Sequence, residues 1–444
     1  MIRATIHTIG LIKAQGVSMP VKASRRNFLK TASAATAIAG TLASAPKVHA
    51  AGDDVLKVGL VGCGGRGCGA AANAIKADPN VQLWAMGDAF SDRLELAKPI
   101  CKDSCGERYA VSDDRCFFGF DAYQKVIDSG VDMVILATPP HFRPEHFEAV
   151  INAGKHCFIE KPVGVDVPGV KRIQAACKVA EEKGLAVVSG LCWRYHPGVV
   201  ETVKRVKEGA IGDIIAIQST YNAGLLWHRG DKPDWSRMEY QMRNWLYHTW
   251  LSGDHIAEQA VHSLDKTAWL NDDASPASVF GMGGRQQRIE EQFGNIYDHH
   301  ALTYEYENGV KVFFTCRQQK GCMNLVDEHV LGTNGSAWIL KNQISAGGKR
   351  WNKKWKYTEK TGSMYDLEHV ALFKSIRDGK PINNGHYMCN STLLAIMGRM
   401  ATYSGKKITW EELMKSETVL GPTEYAWGDV QTEPVPIPGI TSVS

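Results

Sequence analysis

The run Gly62-Cys63-Gly64-Gly65-Arg66-Gly67 constrains this chain more than any other feature. Before it, Val55 to Val61 is apolar and suits a fully buried strand; after it, the Ala-rich stretch Cys68 to Ala77 suits a helix. In that setting the glycines have separate tasks. Gly62 permits a tight turn, Gly64 lets backbone approach a pyrophosphate, and Gly67 packs helix on strand. Gly65 and Arg66 complete the loop, and the helix N-terminus turns free N–H groups toward the anion. A second apolar run, Val81 to Met86, ends at Gly87-Asp88. A carboxylate at Asp88 meets the adenosine ribose hydroxyls of NAD and repels the 2′-phosphate of NADP. NAD is the expected cofactor, with NADP the alternative should Arg93 or Ser91 offset that repulsion. The competing reading of Asp88 is a helix N-cap.

The alternation continues. Val131 to Ala137 reads as a strand ending in Thr138-Pro139-Pro140, followed by a helix from Pro144 to Ala153. A strand at His156 to Ile159, a helix at Pro168 to Lys183 and a strand at Ala186 to Ser189 follow. This spacing predicts an α/β fold whose first domain, residues 51–190, is a doubly wound parallel sheet of Rossmann type. Ligands there sit at the carboxyl ends of the strands, so Thr138, Pro139, Glu160 and Lys161 join the cofactor-binding set. From about Ser278 the pattern turns to alternating strands, and Asn308-Gly309 between two such runs is a hairpin signal. Residues 191–444 therefore read as an α+β domain with a large open, mainly antiparallel sheet.

Charge is unevenly spread. The chain has 51 Lys and Arg against 47 Asp and Glu, but residues 1–50 hold seven of the basic residues and no acidic ones. The rest has 44 against 47, a balance of −3. The segment Ser24-Arg25-Arg26-Asn27-Phe28-Leu29-Lys30 is followed by a small-residue apolar stretch and by Val48-His49-Ala50. This resembles a twin-arginine export signal with cleavage after Ala50, which implies the export machinery as a partner and a periplasmic location. The apolar stretch is short and Ala-rich for a membrane span, so stable insertion is not expected. A slightly acidic remainder argues against nucleic acid. The tract Lys349 to Lys356, basic and aromatic, reads as a solvated strand or hairpin. The cysteines number 11, an odd count without paired CxxC spacing, and read mostly as core thiols.

The Gly-rich turn, Ala153-Gly154-Lys155-His156 and Glu160-Lys161-Pro162 together resemble the glucose–fructose oxidoreductase and inositol dehydrogenase family, Gfo/Idh/MocA. The resemblance extends through Arg194-Tyr195-His196-Pro197, Gly209 to Gly212 and a helix spanning Gly253 to Trp269, as far as Gly332-Thr333-Asn334-Gly335. It implies that Lys161 is catalytic. Physically, a lysine at a parallel strand's carboxyl end sits beside the nicotinamide and is partly desolvated, as a proton acceptor requires. The family's second signature appears as Glu258-x3-His262-x2-Asp265, with Glu for the usual Asp and Ala260 for the usual Gly. Offsets of four and seven place the three side chains on one helical face. His262 would share proton transfer, having an ordinary pKa near neutrality. Glu258 would hold a substrate hydroxyl or orient the base, and Asp265 would contact substrate. Pro140 stands where the family often has Asn. His255, Glu258 and His262 also have metal-ligand offsets, but hydride transfer needs no metal and none is expected.

Residues 221–250 are dense in aromatics, interleaved with His228, Arg229, Arg243 and His248. Aromatic faces with donors suit a carbohydrate, and equally a core or interface patch. Tyr195, Arg243, Trp245 and His248 are the expected substrate contacts because they flank the signature helix. The second-domain sheet of the family often mediates dimers or tetramers, which implies a homodimer or homotetramer here. The expected function is an exported oxidoreductase moving hydride between a tightly held NAD(P) and a hydroxyl or ketone of a sugar, sugar derivative or cyclitol. One alternative is an NAD-dependent glycoside hydrolase or lyase that oxidises the ring transiently. A further one is a non-catalytic sugar-binding protein on the same fold.

Overall fold

The computed structural model of the chain describes residues 54–443. The expected export signal at 1–50 lies outside the described residues. Six strands form the first sheet: β1 (Leu56–Val61), β2 (Val81–Asp88), β3 (Cys116–Phe118), β4 (Met133–Leu136), β5 (His156–Ile159) and β6 (Val187–Ser189). All pair in parallel, in the order β3-β2-β1-β4-β5-β6. Strands β4, β5 and β6 are buried on both faces, and their near-continuous apolar runs follow from helices covering the sheet on both sides. The chain reverses direction of winding between β1 and β4, which opens the ligand crevice of a doubly wound sheet. Strand β3, only three residues long, had no legible periodicity.

The second sheet has nine strands: β7 (Ile214–Ala223), β8 (Ser278–Gly284), β9 (His299–Glu305), β10 (Lys311–Gln318), β11 (Leu325–Gly332), β12 (Gly335–Trp338), β13 (Gln343–Ala346), β14 (Lys353–Lys356) and β15 (Ile408–Thr409). Their order is β14-β13-β12-β11-β7-β10-β9-β8-β15, antiparallel except for the β7–β10 pair. The expected hairpin joins β9 to β10, with Tyr306 N donating to Val310 O at 3.0 Å and Gly309 at φ +84°. Strand β10 alternates, burying Val312, Phe314 and Cys316 while exposing Phe313. The basic tract ends in β14, an exposed edge strand.

Two features depart from a simple two-part chain. The helix Met364–Arg377 packs on the helix Gly65–Ala77, where Asn73 donates to Asp366 at 2.7 Å, and Asn384 accepts from Ser189 N at 3.0 Å. Residues 364–384 thus complete the first domain. The irregular stretch beyond Lys415 also returns to that domain. There Trp427 stacks on Phe120 and lies tilted against Phe90, with ring centroids 4.5 and 5.3 Å apart.

The single helix expected over Gly253 to Trp269 is corrected. It is two helices, His255–Glu258 and Val261–Leu270. Between them both Gln259 N and Ala260 N donate to His255 O at 3.0 Å, a five-residue turn that interrupts the α-helical ladder. The Gln259 side chain is tied separately to Gln318 at 2.6 Å. This break ends the shared face of Glu258, His262 and Asp265.

Candidate active site

A cleft of about 400 Å³ runs along the carboxyl ends of the first sheet. Gly62, Gly64, Gly65, Arg66, Gly67, Asp88, Thr138 and Pro139 line it as expected, together with Arg243, Trp245 and Glu258. The Gly-rich turn is shaped by contact on one side and space on the other. A Cβ on Gly62, at φ +94°, would lie 2.6 Å from Ala137 C, and one on Gly67 would lie 1.9 Å from Gly62 O. A Cβ on Gly64 or Gly65 would meet no protein atom within 4 Å, because both border the open cleft. That is the cradle a pyrophosphate needs: backbone open to the ligand at two positions, closed against protein at the other two.

At one end of the cleft, Asp88 accepts Cys63 N at 2.7 Å and Phe90 N at 3.0 Å. Burial pushes this carboxyl above its ordinary range, and the two N–H donors oppose the shift. Arg93 and Arg229 line the same end. Arg243 lies here too, donating to Asp92 at 3.0 and 2.9 Å with its guanidinium 4.1 Å from the Phe90 ring. Its expected role as a substrate contact is therefore corrected: it borders the adenosine end. The wall is completed by Phe90 and Phe120, which carry Trp427 on their outer side.

The other end is ionic. Glu160 at the close of β5 is buried and pairs with Arg66, whose guanidinium also lies 3.5 Å from Glu368. Burial would raise the Glu160 acid, but Arg66, then Lys161 and Arg143, more than reverse it and hold it below the usual range. Lys161 Nζ donates to the Glu258 carbonyl and stands 3.7 Å from Glu258 Oε1. The Lys161–Pro162 bond is cis. His262 stays a neutral imidazole: burial first, then the charges of Lys161, Lys266 and Arg66, lower its pKa well below the ordinary value. The expectation of a histidine titrating near neutrality is corrected for that reason. Among the described residues, two acceptor-capable atoms here have no partner, Glu258 Oε2 and His262 Nδ1.

Three expected substrate residues lie elsewhere. Tyr195 donates to Asn384 at 3.0 Å and packs on the first domain's core. His248 is 1% exposed, edge-on to Tyr240, with neither ring nitrogen bonded. Asp265 is equally buried, paired with Arg194 at 2.9 Å and accepting from Ser391 at 2.9 Å. Each is held in a packing or pairing role and none lines the cleft; Glu160 and Lys161 do not line it either, but they pair with Arg66 and Glu258, which do.

Arg143 is a site residue that the sequence did not announce. Fully buried, it donates to Thr138 O at 2.9 Å and to Pro162 O, stitching together the ends of β4 and β5. Desolvation, only partly offset by Glu160 and Glu258, lowers its pKa to about 10. The metal-spaced trio His255, Glu258 and His262 is not brought together. Among the described residues, His255 instead gathers with Asp254 and His300. There the Asp254 carboxylate accepts from His255 N, His255 Nδ1 (2.7 Å), Tyr297 N (2.9 Å) and Tyr403 Oη (2.6 Å). Four donors occupy its lone pairs, so this is a hydrogen-bonded core hub.

Comparison with known proteins agrees with this architecture. Residues 56–190 match the description "Oxidoreductase family, NAD-binding Rossmann fold", and residues 199–338 match the GFO/IDH/MocA C-terminal domain. The chain belongs to the Gfo/Idh/MocA family. Scyllo-inositol 2-dehydrogenase (NAD(+)) of Bacillus subtilis is 25% identical over 334 residues, 73% of this chain and 87% of that one. The 2,7-anhydro-N-acetylneuraminate hydratase of Escherichia coli is 30% identical over 226 residues, covering 50% of this chain and 54% of the relative. The structure of levoglucosan dehydrogenase with NADH and levoglucosan superposes with a TM-score of 0.63 at 20% identity, covering 80% of this chain and 99% of that one. As a Gfo/Idh/MocA protein, the chain is an NAD-dependent oxidoreductase acting on CH–OH groups, and its Gly-rich cradle and Asp88 fit that cofactor.

Proposed function

We propose that this Gfo/Idh/MocA protein is an exported enzyme that oxidises a hydroxyl of a sugar, sugar derivative or cyclitol, or reduces the matching ketone, on a cofactor it keeps through turnover. One observation carries the reading. Beside Lys161, Glu258 Oε2 and His262 Nδ1 are buried without partners among the described residues, and a polyol supplies the hydroxyls that would satisfy them. NAD, when bound along the cleft, takes or returns the hydride. As its free amine, Lys161 is placed to take the hydroxyl proton and become the ammonium, which the Glu258 carbonyl and carboxylate hold. The neutral His262 imidazole holds the reacting oxygen by hydrogen bonding, since its suppressed basicity disfavours storing a proton. The names of the relatives, an inositol dehydrogenase and a levoglucosan dehydrogenase among them, support the substrate class.

Export rests on the paired arginines at 25–26 and the small-residue stretch after them. A dissociable nucleotide would be lost outside the cytoplasm, and the return of the C-terminal stretch over the adenosine end supports retention. Assembly as a homodimer or homotetramer is supported by Phe280, Met282 and Phe313, 42%, 73% and 49% exposed on one face of the second sheet. Mass spectrometry of the nucleotide released from purified protein, followed by a sugar and cyclitol panel read by nicotinamide absorbance, tests the proposal. Bound NAD with a spectral change on one class is the expected outcome; no nucleotide and no change overturns it. A second reading, transient ring oxidation followed by elimination, is favoured by the similarity to a hydratase. Product release without net NADH would select it.

A further inference from the structure

One helical turn beyond His262, the fully buried Lys266 donates its ammonium to the His262 carbonyl at 2.9 Å. The same ammonium lies 3.4 Å from Glu328 Oε1 on β11, and both side chains have 0% exposure. Among the described residues neither Glu328 oxygen has a hydrogen bond of good geometry, so this carboxyl relies on the Lys266 charge, with the Ser263 hydroxyl beside it, in a site that holds no water-facing surface. Nothing in the Lys161 chemistry uses this pair, yet it touches the main chain of the histidine that the chemistry does use.

We propose that Lys266 and Glu328 are positioning residues for His262: Lys266 fixes the histidine's main chain, and the charge on Glu328 sets how much of the Lys266 field reaches the imidazole. The proposal rests on the reading that His262 holds the reacting oxygen. The groups facing Glu328 are Lys266 and the Ser263 hydroxyl from the helix Val261–Leu270, its neighbour Asp327, and Tyr221 on β7. Ser263 itself donates to Thr220 O at 3.3 Å. Burial pushes the Glu328 acid up to about 7; Lys266 and Ser263 oppose this and Asp327 adds to it. Below that pH the carboxyl is neutral, and the Lys266 charge acts uncompensated on His262, whose basicity burial and the Lys161, Lys266 and Arg66 charges already suppress. Above it, Glu328 is ionised and the pair is internally balanced. The neutral His262 imidazole then holds the substrate hydroxyl by a stronger hydrogen bond, and turnover rises as pH increases through that point.

The test is Glu328→Gln in the purified holoenzyme, a near-isosteric change that leaves the site permanently uncharged. The kcat profile should lose its inflection near pH 7 and fall about threefold to tenfold above it, with KM and bound nucleotide unchanged. Infrared titration of the wild-type holoenzyme should show a protonated-carboxyl band fading through the same pH, missing from the variant. A wild-type band that does not titrate, or a variant profile parallel to wild type at every pH, overturns the proposal. Should Glu328→Gln not fold, the wild-type infrared titration still decides the proposal. Absence of turnover on every polyol would count against the functional reading alone, because the infrared measurement needs no substrate.

Discussion

The buried carboxylates at the two ends of the cleft, Asp88 and Glu160, satisfy their charge by opposite means. At the adenosine end, Asp88 is held by two backbone N–H groups from its own neighbourhood in the sheet. At the catalytic end, charges are held by other charges: Arg66 by Glu160, and Lys161 by Glu258. Backbone donors are fixed by the fold and insensitive to pH. Paired side chains couple, so altering one changes the proton affinity of the next. The first arrangement suits recognition of an invariant cofactor, the second suits moving a proton. A change at the adenosine end should appear in nucleotide binding, and one at the catalytic end in turnover.

The sharpest test of that division is Lys161→Met. It should lower kcat by on the order of 10³-fold while the purified protein keeps its nucleotide, measured by steady-state kinetics beside cofactor mass spectrometry. Loss of the nucleotide instead would break the division. Next in size is a pair of glycine substitutions. Gly67→Ala puts a methyl 1.9 Å from Gly62 O and should cost roughly 1–3 kcal/mol of stability by thermal unfolding. Gly65→Ala places its methyl in open cleft, so stability should hold while NAD affinity falls. Equal stability losses in both would mean the cradle is not open to a ligand. The smallest effect belongs to Trp427→Ala. Removing its stacking on Phe90 and Phe120, each pair worth about 0.5–1.5 kcal/mol, should speed nucleotide release several-fold without altering the chemical step. Stopped-flow displacement of the bound nucleotide measures it, and an unchanged rate would remove the C-terminal stretch from the retention argument.

The same contrast explains what could be read from the chain and what could not. The Gly-rich turn, Asp88, Thr138-Pro139 and Glu160-Lys161 lie at strand ends, where a run of four to eight residues carries its own periodicity and punctuation. The structure places each within a residue or two of its expected element. The helix from Gly253 to Trp269 was legible only as a periodicity. At its interruption the Gln259 side chain bonds Gln318, which arrives from strand β10, and that break separates Glu258 from Asp265. Tyr195, His248 and Asp265 were expected in the site by proximity in sequence to its signature, but their partners Asn384, Tyr240 and Arg194 draw them elsewhere. Arg143 and Glu328 gave no signal, because a buried charge is indistinguishable from a solvated one until its surroundings are assembled.

By itself, then, the chain's local pattern determined the parallel sheet, the open antiparallel one, the cofactor cradle and the lysine beside it. Each of these depends on contacts between residues near in sequence, or on an apolar periodicity that any correct fold must bury. The tertiary structure alone decided which charges face each other: Arg66 with Glu160 across 94 positions, Lys266 with Glu328 across two elements, Trp427 over Phe90 from the far end of the chain. Electrostatic coupling acts over a few ångströms of low-dielectric interior, and that distance has no counterpart along the sequence.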